Sequence, residues 1–230
     1  MQTQAALLPG IRKSSKSRTF LKKIFWPLIK LRADLLVDGY IERSIGKWIK
    51  ELLGKETIFL EIGCGDMSLL KFLPDSVCYN AFDLSLSEFQ LRRVFAKKRN
   101  INLALASATS IPLKSGSVSL IVATEVFEHI PKIDKAIREI HRIAKPKAKL
   151  ICTIPNNYSK QYKKYPHPDH INSWTFEGFK KYMHSRGFRF LKGHMKGFWL
   201  PIFKRPIQLP ISKKEESDNN TFFYMFEVEK

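Results

Sequence analysis

The run FLEIGCGDMS, residues 59–68, decides the fold. A short apolar strand, TIFLEI at 57–62, runs into two glycines one residue apart, Gly63 and Gly65, and DMSLLKFL at 66–73 reads as the start of a helix. Glycine lets the backbone turn tightly and approach a ligand without a Cβ in the way. The free N–H groups of a following helix point into such a turn. Ser68 occupies the third glycine position of the dinucleotide pattern GxGxxG, so that fingerprint is incomplete. Taken alone, the GxG is compatible with a cofactor turn or with a turn that serves packing only.

Working outward, strands and helices alternate. VCYNAF (77–82) is a second strand, and Ser85 with Glu88 forms a capping-box start for a helix running toward Arg99. INLALA (101–106) and SVSLIVAT (117–124) are the third and fourth strands. A helix then carries Ile133, Ala136, Ile137 and Ile140 on one face, with Arg142 and Lys145 near its C-terminal end, where cations complement the dipole. KLICTI (149–154) is a fifth strand. Thr175 can cap a helix that buries Phe176, Phe179 and Met183 and stops at Gly187. FRFLKG (188–193) and TFFYMFEVE (221–229) follow with no helix between them. This order predicts an α/β, Rossmann-like, mostly parallel seven-stranded sheet with helices on both faces and a C-terminal antiparallel hairpin. Ligands of such sheets bind at the carboxyl ends of the strands. Asp83 stands at that end of the second strand, where a carboxylate can accept hydrogen bonds from both hydroxyls of a ribose, or simply help to start the next helix.

The organisation expected is a flexible basic arm over 1–18, an N-terminal helical lid over 19–54 and a single Rossmann-like domain over 55–230. Within the lid, Ile41, Ile45, Trp48, Ile49 and Leu52 recur at helical spacing before Gly54. Forty Lys and Arg against 21 Asp and Glu give a net charge of +19, which favours anionic partners. The stretch 20–37, with Lys22, Lys23, Phe25, Trp26, Lys30 and Arg32, suits a lid, an anionic membrane surface or RNA phosphates. Nothing resembles an RNA-binding module. Cys64, Cys78 and Cys152 lack CxxC spacing, which argues against a disulfide framework and a structural zinc site. A cytoplasmic location is expected, with peripheral membrane contact through the N-terminal segment as the variant.

Four segments in order, LEIGCG, AFDLS, ATSIPLKSGSVSLIVATEVFEHI and IREIHRIAKPKAKLICTIPN, resemble the class I S-adenosylmethionine-dependent methyltransferases. The resemblance is to the small-molecule, ubiquinone-pathway-like group (methyltransferase type 11), and HINSWTFEGFKKYMHSRGF is similar to its C-terminal helix and strand. It covers about residues 57–195 and implies S-adenosylmethionine as cofactor. Glu61 would organise the turn and the ammonium end of the cofactor; Gly63, Cys64 and Gly65 would let backbone approach its methionine part. Asp83 would hold the ribose, Leu84 would pack on adenine, Ser107 and Ala108 would flank the adenine edge, and Thr124 would lie beside the methionine moiety. The sequence departs from the family at Met67, Ser107, Ser119 and Lys147-Ala148. TEVF after the fourth strand is unlike the Asn/Asp-Pro-Pro-aromatic motif of base-amino methyltransferases.

His129 and His170 are the candidate catalytic bases, with His167 beside them, since neutral imidazole takes a proton near pH 7. Related ubiquinone-pathway enzymes carry an acidic-histidine cluster comparable to Glu125, Glu128 and His129. Hard-cation sites generally use more oxygen ligands, so the reading adopted is that Glu125 lines the pocket, Glu128 and His129 begin a helix, and no metal is bound. The expected function is methyl transfer to a small-molecule acceptor, with lipid- or isoprenoid-linked metabolites among the candidates. A catalytically weak cofactor-binding member of the fold and an RNA methyltransferase are the alternatives.

Overall fold

The computed structural model describes residues 39–86, 100–200, 207–209 and 211–230. The basic arm, most of the expected lid and the helix expected after Ser85 lie outside them. In chain order the described elements are α1 (Tyr40–Leu52), β1 (Phe59–Ile62), a 3-10 turn (Ser68–Phe72), β2 (Tyr79–Asp83), β3 (Ile101–Leu105) and β4 (Val118–Thr124). A 3-10 turn (Phe127–His129) follows, then α2 (Ile133–Ile143), β5 (Ala144–Pro155), α3 (Lys160–Lys164) and α4 (Phe176–His184). The chain closes with β6 (Phe188–Leu200), β7 (Ile207–Leu209), a third 3-10 turn (Glu216–Asp218) and β8 (Asn219–Val228).

All described strands form one sheet in the order β3-β2-β1-β4-β5-β8-β6-β7. β1 to β5 run parallel to one another, whereas β8 runs antiparallel to both β5 and β6. The expected Rossmann-like sheet is therefore present. The antiparallel C-terminal pair is also there, with β8 slotted between β5 and β6. One three-residue strand, β7, adds an eighth to the seven expected and pairs with the end of β6.

Alternation along the strands explains why two cores form. Leu60, Ile62, Ile121, Ala123, Leu150 and Cys152 point to one face, where Ile137 and Ile140 of α2 and Phe179 and Met183 of α4 cover them. Phe59, Leu120, Val122 and Ile151 point to the other, where Ile45, Trp48 and Ile49 of α1 pack with Leu69 and Leu70. In a pleated strand successive side chains face opposite sides, so each strand feeds both layers. Thr175 caps α4 by accepting a hydrogen bond from the Gly178 N–H at 3.0 Å.

Two local expectations change. Within residues 66–73 only Ser68–Phe72 coils, as a 3-10 turn, because Asp66 Oδ1 accepts from the Ser68 N–H at 3.0 Å and Pro74 follows. Lys145 belongs to β5, and Arg142 turns back to donate to Glu139 and to the Leu113 and Ile111 carbonyls. No helix among the described residues is long and apolar enough to cross a membrane.

Candidate active site

A cavity of about 570 Å³ opens at the carboxyl ends of β1, β2 and β4. Gly63 and Gly65 form its floor, with φ of +66° and +45°. At Gly63 a Cβ would fall 2.6 Å from Val126 Cγ2, so glycine is required by space as well as by conformation. The turn is held because the Gly63 and Cys64 N–H groups both donate to the Phe82 carbonyl, at 2.9 and 3.2 Å.

Asp83 faces the same cavity. Its Oδ2 accepts from the Gly65 N–H at 2.9 Å and its Oδ1 from the Ser85 N–H at 3.2 Å. Each carboxylate oxygen retains acceptor capacity for a ligand hydroxyl. Leu84 beside it is 75% exposed, a large apolar side chain left bare on the cavity wall. Ser107, Ala108 and Thr124 also line the cavity. The Ser107 hydroxyl bonds to Thr109 Oγ1 at 2.9 Å.

Glu61 and Cys64 are not among the lining residues; both are buried behind the turn. Glu61 lies one residue from Leu60 and Ile62 in β1, so its side chain goes to the α1 face, where the Tyr79 hydroxyl donates to it. Burial pushes its carboxyl up to about 8. The Cys64 thiol, buried beside Glu61, is pushed up to about 12. Both therefore shape the turn from below.

Two buried carboxyls, Glu125 and Glu128, stand at and behind the far wall. Glu125 takes a left-handed φ of +52° at the end of β4, a conformation costing roughly 1–2 kcal/mol for a non-glycine residue, and it lines the cavity. Burial raises its carboxyl; burial and then the Glu125 charge raise that of Glu128. Thr124 Oγ1 and Glu125 Oε1 have no hydrogen-bond partner among the described residues. Both atoms are fully buried, in residues that line the cavity.

The structure brings His129 and His170 together with His167. His129 lines the cavity, and its Nδ1 bonds to the Asp169 carbonyl at 3.0 Å. His170 is not a lining residue; its ring lies 4.8 Å from that of His129, 4.4 Å from that of His167 and stacks on Tyr162. Burial, then the His167 and His129 charges, lower its pKa to about 4. Sequence reasoning missed Val126, Ile130 and Lys132 on the rim, although their place directly after β4 could have marked them.

A glycine turn and a strand-end carboxylate sharing one cavity in a parallel sheet with a reversed strand define a class, the class I methyltransferase fold. Residues 37–192 match a family model described as a methyltransferase domain, and the chain belongs to that family. An uncharacterized protein of Methanocaldococcus jannaschii is 28% identical over 191 residues, 75% of this chain and 80% of that protein. A ubiquinone/menaquinone biosynthesis C-methyltransferase of Rickettsia bellii is 29% identical over 135 residues, 53% of this chain and 54% of that enzyme, so the match spans about half of each. Among solved structures, the YcgJ protein of Bacillus subtilis superposes with a TM-score of 0.65 at 12% identity, covering 82% of this chain and 99% of that one. A 1,6-didemethyltoxoflavin-N1-methyltransferase of Burkholderia thailandensis, solved with 1,6-didemethyltoxoflavin and S-adenosylhomocysteine, gives 0.63 at 11% identity over 98% and 95%. At such identities the structures speak for the fold alone.

Proposed function

We propose that the protein moves the methyl group of S-adenosylmethionine to an oxygen, nitrogen or carbon of a small-molecule acceptor. The observation that carries this is the meeting of Asp83 with the Gly63–Gly65 turn in one cavity, joined by the Gly65 N–H to Asp83 hydrogen bond of 2.9 Å. Asp83 would accept from the ribose hydroxyls, Leu84 would cover the adenine, and Ser107 and Ala108 would flank its edge. Thr124 and Glu125, which line the cavity at the end of β4, would lie beside the cationic methionine end. The cofactor supplies a methyl group already activated by its sulfonium.

What remains for the chain is orientation. Holding two reactants in line can contribute about 7–11 kcal/mol. His129, on the rim, would take or share a proton when the acceptor must lose one, directly or through what it binds. His170 would position it. The likeness to a quinone-pathway C-methyltransferase and the basic, aromatic run 20–37 support a lipid- or isoprenoid-linked acceptor, met at an anionic surface.

Incubation with methyl-labelled S-adenosylmethionine and a panel of quinol, phenol, amine and tRNA acceptors tests the reading. Label in a small-molecule product supports it. Cofactor binding with no transfer to any acceptor would mark a non-catalytic member of the fold, and label in tRNA alone would make the acceptor a nucleic acid.

A further inference from the structure

Helix α1 lies along β6, and the seam between them collects positive charge. Lys192, His194 and Lys196 alternate along β6, in register with Met225, Phe223 and Thr221 of β8, so all three face α1. Ser44, Trp48 and Glu51 meet them from successive turns of the helix. Lys192 donates to Glu51 and lies 5.1 Å from the Trp48 ring centroid. The His194 ring stacks on Phe223 at 4.6 Å and meets Trp48 edge-on at 5.3 Å.

The end of the seam near the start of α1 has no such balance of charge. Lys196 Nζ donates to Ser44 Oγ at 3.1 Å, and Lys47, one turn further along α1, stands exposed beside it. Neither ammonium makes an ion pair among the described residues, whereas Lys192 has Glu51. Burial, and then the charge of Lys47, lower the pKa of Lys196. Burial, and then the Lys196 and Lys192 charges, lower that of His194 to about 4, so its ring is neutral near pH 7. Two like charges are thus held side by side with no carboxylate to offset them, an arrangement that an anion relieves.

The donor set specifies the anion. Ser44 takes one of the three Lys196 donors and holds the ammonium in place; the other two face a ligand together with those of Lys47. A phosphate monoester carries about −1.5 to −2 near pH 7 on several acceptor oxygens, which matches two ammonium groups. A carboxylate brings a single charge. Lysine binds phosphate as a compact point charge.

We infer that Lys47 and Lys196, the latter anchored by Ser44, bind a phosphate group in the seam between α1 and β6. Lys196 pairs in register with Thr221, and Thr221 with Pro155 at the carboxyl end of β5. The Tyr40 hydroxyl, at the start of α1, bonds to Thr221 Oγ1 at 2.9 Å. The phosphate therefore sits at the edge of the sheet on which the methyl-transfer cavity opens. The site stands on its own charges and holds whether or not the methyl-transfer reading does.

Two arms test the inference on the full chain: calorimetry with glycerol 3-phosphate, and co-sedimentation with phosphatidylcholine vesicles with and without phosphatidic acid. Binding is expected in at least one arm, weakened about tenfold or more when Lys47→Gln and Lys196→Gln are combined. Lys47→Gln alone, which alters only an exposed side chain, should weaken it about threefold or more and decides the matter if the double variant fails to fold. Lys135→Gln with Lys181→Gln removes the same charge from exposed positions on α2 and α4, across the sheet, and should bind as the wild type does. Circular dichroism reports whether each variant keeps the fold. Binding of glycerol 3-phosphate makes the ligand a soluble phosphorylated molecule, and binding to phosphatidic acid vesicles alone makes it a lipid headgroup. Wild-type protein that binds neither probe overturns the inference. Binding that both double variants weaken equally, or that neither weakens, overturns it too, because the attraction would then be that of the net charge.

Discussion

Replacing Glu61 with glutamine should stabilise the protein, and increasingly so as the pH rises. Glu61 is 3% exposed, and the Tyr79 hydroxyl donates to it. Burial is the main cause that lifts its carboxyl from the ordinary 4.5 to about 8; the Tyr79 bond opposes this, and the Asp66, Asp83 and Glu42 charges add to it. Between those two values the folded chain holds a proton that the unfolded chain has released, so stability falls as the pH climbs through that window. Each tenfold step in such a proton equilibrium is about 1.4 kcal/mol, so Glu61 costs the wild type about 2.5 kcal/mol more at pH 8.5 than at pH 6. Glutamine keeps an acceptor for Tyr79 and has no charge to desolvate. Urea unfolding of both proteins without cofactor, at pH 6 and 8.5, should show the gap in favour of glutamine widening by about 1–3 kcal/mol, the lower figure allowing for relaxation around the site. A gap that stays constant or narrows would refute the reasoning, because Glu61 would then be ionised and adequately partnered in the fold.

Gly63→Ala places a Cβ 2.6 Å from Val126 Cγ2 at a φ of +66°. It should weaken S-adenosylhomocysteine binding at least tenfold in calorimetry and lower stability by about 1–3 kcal/mol. Thr175→Ala removes the cap of α4, which accepts from the Gly178 N–H; denaturant melts should show a loss of about 1 kcal/mol, with cofactor binding unchanged.

The parallel part of the sheet was legible because its strands are apolar runs that end at the glycine turn, at Asp83 or at Thr124. β7 was not legible: Ile207–Leu209 is three residues long and stands between Pro206 and Pro210, so no periodicity can register. The helix expected over 66–73 became a 3-10 turn because an aspartate closes it at one end and a proline at the other. Lys147 accepts a left-handed φ of +60°, which spacing alone could not reveal.

At the site, residues that act through backbone position were readable, and residues that act through distant contacts were not. Gly63, Gly65, Asp83, Leu84, Ser107, Ala108 and Thr124 all reach one cavity because strand ends converge there. Glu61 and Cys64 go behind it, since the pleat sends Glu61 to the α1 face. His170 meets His129 only because Asn172 and Asp169 tie two loops together, and no sequence interval encodes that.

Calorimetric binding of S-adenosylmethionine to the wild type and to Asp83→Ala tests the central claim most directly. The wild type should bind one equivalent, and loss of the ribose-holding carboxylate should weaken binding at least tenfold while the fold, read by circular dichroism, is kept. Folded wild-type protein that binds no S-adenosylmethionine, or an Asp83→Ala variant that binds it equally well, would contradict the account.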